Sequence, residues 1–229
     1  MRFPSILFIG CMLVTTMTNA AEFQIFRSDS QVLIVSMTGN IEENDPQKLQ
    51  TIFGSNPFSK EKFLVLNSFG GLVDAGIEMG LVVSNYGVRT IIPKKGRCFS
   101  ACSMVFVAGW DDIRLTPARY KYVQHLLGVH RPHNVNFKSA DLHVMNAVRS
   151  YFEFMETGKA FYRLTASIPP RKMRFIKNIK PKVMSDYKVV GLSKTQKTSK
   201  VSKRRPQKSF ITKQQHLEKW RRSLLESSD

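Results

Sequence analysis

Cysteine is scarce in this 229-residue chain, with only three, and acidic side chains are few, 17 Asp and Glu against 35 Lys and Arg. Each shortage excludes something. Cys98 and Cys102 lie four positions apart, so they are not a C-x-x-C redox motif, and no second pair completes a metal site. No Gly-rich loop closing on Lys-Ser or Lys-Thr is present to hold a nucleotide phosphate, so ATP-driven chemistry and a bound cofactor are not expected. The apolar run at the start, Phe3 to Val14, is too short and too abruptly ended to favour a membrane span. What the chain does have is 42% hydrophobic residues, enough for the core of one ordinary domain with appendages.

The formal charge of +18 looks like a nucleic-acid signature until it is located. Residues 159–192 hold 9 Lys/Arg and 1 Asp/Glu and residues 193–229 hold 11 and 3, so each stretch contributes +8 and +2 remains for residues 1–158. The basicity belongs to the C-terminal part.

Arg2, the apolar run and the small-residue end Thr18-Asn19-Ala20 read as an export signal over residues 1–20, cleaved near Ala20 to release the chain into a bacterial periplasm. An uncleaved membrane anchor is the rival reading, and Phe8-Ile9-Gly10-Cys11 is a weaker match to a lipoprotein box. Cleavage leaves Cys98 and Cys102, an even number in an oxidising compartment. They either bridge across one helical turn or form a free buried pair.

Phe23–Phe26 and Val32–Met37 have the β-branched and apolar content of two short strands, and Lys48–Phe53 of a short helix closed by Gly54. Phe63–Leu66 is a continuous apolar run, the pattern of a strand buried on both faces, leading into a loop Asn67-Ser68-Phe69-Gly70-Gly71. Leu72 to Val83 repeats at helical spacing and Val88–Ile92 is a further strand. Strand, glycine loop, helix, strand, glycine turn, helix implies a largely parallel sheet with ligand sites at the strands' carboxyl ends. Leu126–His133 reads as another buried strand ending in a histidine pair, Ser139–Met155 as an amphipathic helix, and Ala160–Leu164, Pro169-Pro170 and Met173–Ile179 as a basic helical or irregular stretch. Val183–Leu192 closes a globular domain over residues 21–192.

Within that order, Gly96 to Gly109 delivers Ser100 onto the first turn of an apolar helix. A serine so placed has a fixed position and unpaired backbone N–H groups beside it, which is what a nucleophile needs. Serine is also a preferred N-cap, so a purely capping Ser100 is the alternative. Residues 193–229 are a basic tail too polar to fold alone, ending in a short amphipathic helix with Leu217, Trp220 and Leu224 on one stripe. Docking on its own domain or a neighbouring subunit comes first for that helix, an anionic membrane or wall surface second; nucleic acid is not expected.

With Gly39-Asn40-Ile41, Asn67-Ser68-Phe69-Gly70-Gly71, Ser100 nine residues before Gly109, Leu127-Gly128-Val129-His130-Arg131-Pro132 and Val189-Val190-Gly191-Leu192 in view, residues 31–192 resemble the Clp-protease/crotonase superfamily, in particular its exported Clp-like proteins. The resemblance implies an α/β fold, a spiral of ββα units with a largely parallel sheet, and a homo-oligomer. Carried across, it implies Ser100 as nucleophile, His130 as general base, and the backbone N–H groups of Gly71 and Ala101 as the oxyanion hole. His133 and His125 are the other histidines in reach of the base's role.

Three departures stand out. Phe69 occupies the family's loop proline, the interval from Pro117 to His130 is longer, and the stretch that would carry the orienting acid has none. Asp141, Asn178 and Asp186 are the candidates left for the orienting residue, and without one the histidine populates the wrong tautomer. The leading expectation is an exported, ATP-independent serine peptidase acting on short or unfolded chains. The alternative is a catalytically silent member of the fold used for assembly or binding, with the basic tail as its contact. A crotonase-like acyl-CoA enzyme comes third, because an exported protein lacks that cofactor.

Overall fold

The computed structural model describes residues 20–121, 126–134, 136, 138 and 140–176. The expected leader up to Asn19, His125, Asn178, Asp186, the closing segment Val183–Leu192 and the tail 193–229 lie outside the described residues. Among the described residues, ten strands and five helices make a mixed α/β structure with a mostly parallel sheet.

The chain enters on β1 (Glu22–Ser28), turns at Asp29, whose carboxylate accepts the Gln31 and Val32 N–H groups, and returns antiparallel as β2 (Val32–Ile41). Leu33, Val35 and Met37 alternate along β2 with 0% exposure, the period that buries one face of a strand. Helix α1 (Asp45–Gly54), with Pro46 in its first turn, crosses to β3 (Glu61–Gly71), which pairs parallel with β2. β3 buries Leu64 and Leu66 fully but Phe63 and Val65 only partly. The continuous apolar run is therefore not buried on both faces: the Arg89 guanidinium lies 5.2 Å above the Phe63 ring and covers that side instead.

The expected glycine loop after β3 is also corrected. A bulge in β2 between Thr38 and Asn40 resets the register, and the pairing runs on as Asn40 with Gly70 and Ile41 with Gly71. Extended by that bulge, β3 carries two branches. Phe63–Val65 pair with β4 (Arg89–Ile92), reached through α2 (Val73–Asn85), while Ser68 pairs with Cys98 in β5 (Arg97–Phe99). After α3 (Ala101–Val107), β6 (Trp110–Asp111) and β7 (Thr116–Pro117) form a small hairpin, and β8 (Arg119–Lys121) pairs with β4. β9 (Leu126–Val129) pairs parallel with β5.

Helices α4 (Leu142–Phe154) and α5 (Lys159–Ser167) follow, and β10 (Arg174–Ile176) closes the branch antiparallel to β9. That last strand falls where a basic helical or irregular stretch was expected; pairing with β9 supplies backbone partners that its own residue pattern does not advertise.

The core lies between the sheet and the layer of α2 and α3. All seven residues of α3 are buried, Phe106 among them at 0% exposure. Burying a side chain of that size is worth roughly 1.5–3 kcal/mol. Small residues let the backbones close in: a Cβ on Gly76 would meet the Ala101 carbonyl oxygen at 2.9 Å. Tyr151 of α4 donates its hydroxyl to the Met104 carbonyl at 2.7 Å, and Phe152 meets Phe161 of α5 edge to face. Among the described residues no helix is long and apolar enough to cross a membrane.

Candidate active site

Ser100 stands between β5 and α3 at φ 51°, ψ −125°. Only glycine enters that region without cost; for serine the conformation costs on the order of 1–3 kcal/mol and persists because its surroundings hold it. Those surroundings are visible. The Ser100 N–H donates to the Gly128 carbonyl at 2.9 Å, tying the turn to β9, and the Ser100 carbonyl accepts both the N–H and the hydroxyl of Ser103, at 2.9 and 2.6 Å. Cys98 and Cys102, both fully buried, are joined as a disulfide that straddles the serine. The Ser100 hydroxyl makes no capping hydrogen bond, although the residue occupies the N-cap position of α3.

Against this turn lies the double glycine. Gly70, at φ 102°, is so close that a Cβ there would stand 2.7 Å from Ser100 Cβ and 3.1 Å from Ala101 N. Gly71, at φ 149°, is pressed instead against Ile41 of β2. Thus the structure brings Gly70, Ser100 and Ala101 into contact, with Gly71 one residue further along the strand. Ser68, not singled out in the sequence, supports this corner: its buried hydroxyl accepts the Gly70 N–H at 3.1 Å. Phe69 between them is 60% exposed and packs edge-on to Phe99, with ring centroids 5.8 Å apart.

The β5–β9 register sets Phe99 opposite Gly128, so β9 ends one residue short of His130 on the side where Ser100 leaves β5. His130 is 9% exposed, and its Nδ1 lies 2.8 Å from the Arg131 carbonyl oxygen. A carbonyl only accepts, so in the neutral imidazole Nδ1 carries the proton and Nε2 is left with its lone pair. The Arg131 peptide is in turn anchored to the end of α5, its N–H on Ile168 O at 2.9 Å and its Nε on Ala166 O at 2.6 Å. Burial pushes the His130 imidazole below its ordinary value, the bond to Arg131 acts against this, and the neighbouring His133 adds to the lowering. The two histidine rings stack with centroids 5.1 Å apart.

His130 and Ser100 are not hydrogen-bonded to each other among the described residues. Asp141, a candidate orienting acid, accepts the Val144 N–H at 2.9 Å and caps α4. A cleft of about 980 Å³ is lined by Glu43, Gly71, Asp74, His133 and Asp141; it reaches the candidate site at Gly71 and His133, and Ser100, Ala101 and His130 are not part of its wall.

No protein family and no curated protein matches the chain. Among solved structures, it is similar to the 1510-N membrane-bound stomatin-specific protease, in a mutant form, at 12% identity and a TM-score of 0.49, covering 62% of this chain and 72% of that one.

Proposed function

We propose that the chain is a serine hydrolase of Clp-like fold, an exported peptidase that works without ATP on short or unfolded polypeptides. The observation that carries this reading is Ser100 itself, held at φ 51° between strand and helix with its hydroxyl making no capping bond to the helix and Gly70 against it. A strained serine whose hydroxyl does not cap its helix is what a nucleophile at a strand-to-helix turn requires.

In this reading a peptide runs along the cleft to its edge at Gly71 and His133 and from there reaches Ser100. Ser100 Oγ attacks the scissile carbonyl carbon while His130 Nε2 takes the hydroxyl proton, and the oxyanion is received by the N–H groups of Gly71 and Ala101. Each such donor is worth about 10²–10³ in rate. His130 then gives the proton to the leaving amine, and a water, activated by the same nitrogen, releases the acyl group. Nδ1–H on the Arg131 carbonyl selects the tautomer that the mechanism needs, the task a carboxylate has in the usual triad.

A catalytically silent relative is the second reading, favoured by the lack, among the described residues, of a carboxylate on His130 Nδ1 and of a bond between His130 and Ser100. Fluorophosphonate labelling of residues 21–229 separates the two. Labelling lost in Ser100→Ala and strongly reduced in His130→Ala establishes an activated serine; a folded wild type that labels no better than Ser100→Ala ends the hydrolase reading.

A further inference from the structure

The residue just before β1 is buried, and a carboxylate is buried with it. Ala21 is 4% exposed, and its N–H donates to Asp45 Oδ2 at 3.2 Å across 24 residues of sequence. Asp45 is 0% exposed. The same Oδ2 accepts the Glu42 N–H at 2.8 Å, while Oδ1 meets Lys48 Nζ at 2.8 Å, a cation whose side chain is 48% exposed. One oxygen of this buried carboxylate therefore faces a half-solvated ammonium, and the other faces two neutral amides. A buried carboxylate is best matched when a full positive charge reaches it inside the protein.

We infer that Asp45 is the internal counter-ion of the α-ammonium of Ala21, a group that exists only after the Ala20–Ala21 bond is cut. A leader-peptidase-type hydrolase adds one water across that amide, leaving a carboxylate on Ala20 and an amine on Ala21 that is protonated at neutral pH. The nitrogen that donated one neutral N–H to Oδ2 then carries a positive charge and three donors at the same position. Because Ala21 is buried in the folded chain, the cut precedes folding, as it does when a leader is removed during export. The pair also reaches toward the candidate site: Glu42, which shares Oδ2, follows Ile41, and Ile41 pairs with Gly71 and accepts the Leu72 N–H at 2.9 Å. This inference stands whether or not Ser100 is catalytic.

The test compares two full-length forms differing only at the start: one beginning at Ala21, released from a cleavable fusion, and one keeping Thr18-Asn19-Ala20 ahead of it. Each is made with Asp45 and with Asp45→Asn. The form beginning at Ala21 is expected to melt roughly 3 °C or more above the extended form, the shift a partly desolvated ion pair produces in a domain of this size. Asp45→Asn is expected to erase that difference, and acetylating the Ala21 amine with Asp45 intact is expected to do the same, which keeps the test usable if Asp45→Asn folds poorly. Mass analysis of the protein exported by its host is expected to give Ala21 as the first residue. Equal melting of the two forms, a difference that survives both Asp45→Asn and acetylation, or an exported chain starting elsewhere overturns the inference.

Discussion

Gly70 and Ser100 touch through backbone and Cβ: a methyl group on the glycine would stand 2.7 Å from both Ser100 Cβ and the Phe99 carbonyl oxygen. Neither neighbour can swing away, since one is backbone and the other the first atom of the serine side chain. Gly70→Ala also meets φ 102°, where an alanine pays on the order of 1–3 kcal/mol. The variant is expected to lose fluorophosphonate labelling and to unfold at lower denaturant. Labelling at the wild-type rate would remove the glycine from the catalytic corner.

Replacing Ser100 separates chemistry from strain. Ser100→Ala and Ser100→Gly both delete the hydroxyl and are expected to be unlabelled. Only glycine relieves the strain at φ 51°. Allowing for its looser unfolded state, Ser100→Gly is expected to be about 1 kcal/mol more stable than Ser100→Ala by urea denaturation. The opposite order would mean that the Cβ at position 100 contributes more by packing than its backbone costs.

The pH dependence follows from His130. Burial, the largest cause, outweighs the bond to the Arg131 carbonyl, His133 adds a smaller lowering, and together they hold its pKa below the ordinary 6.5. The unprotonated base is thus present through neutral pH, and labelling is expected to fall only at a midpoint below 6.5. His133→Gln removes the repulsion and is expected to raise that midpoint. The sign for stability is the same: as pH falls below about 6.5 the unfolded chain takes up the proton before the folded one, so folding weakens with acid. A melting temperature that rises between pH 7 and pH 5 would contradict this placement of the histidine.

The mixed α/β order was legible where the residue pattern itself decides the structure. β2 shows Leu33, Val35 and Met37 at period two, and α2 shows its apolar residues at helical spacing, so both stand out locally. β5 and β10 do not, because three-residue strands get their definition from partners: Cys98 from Ser68 and Leu127, and Phe175 from Gly128. The double glycine looked like a loop since glycine favours turns, yet the Thr38–Asn40 bulge in β2 keeps it in the sheet. Around the candidate site, Ser100 was conspicuous from its turn and helix. The supports of Ser68, Ser103 and the Arg131 carbonyl were not, for a backbone carbonyl has no sequence signature and isolated serines are common.

Tyr151 offers a test of the core away from the serine. Its hydroxyl donates to the buried Met104 carbonyl at 2.7 Å, and a Cβ on Gly80 would fall 1.8 Å from the Tyr151 hydroxyl oxygen. Tyr151→Phe is expected to cost about 1–2 kcal/mol through the lost hydrogen bond. Gly80→Ala is expected to cost more, because the ring must move. Both are expected to leave the labelling rate of the folded protein unchanged, measured well below their melting temperatures.

The disulfide is the remaining element that straddles Ser100, joining β5 to α3 from Cys98 to Cys102. So short a loop contributes only about 2 kcal/mol in the chain-entropy account, a modest share for a bond with both ends fully buried. Its larger effect is expected to be on position. Without it the turn is held by the Ser100 N–H on Gly128, the Ser103 bonds to the Ser100 carbonyl and the contact with Gly70, while the strained φ favours relaxation. The double variant Cys98→Ala, Cys102→Ala is therefore expected to fold with a lowered melting temperature and to label on the order of ten- to a hundredfold more slowly at a temperature where it is fully folded, the scale of loss that a displacement of about 1 Å produces at a reacting group. Chemical reduction in mild denaturant followed by refolding under a dithiol is expected to give the same rate, and reoxidation to restore it. A variant that labels at the wild-type rate would show that hydrogen bonds and packing alone hold the serine, and would leave the bond a role in stability only.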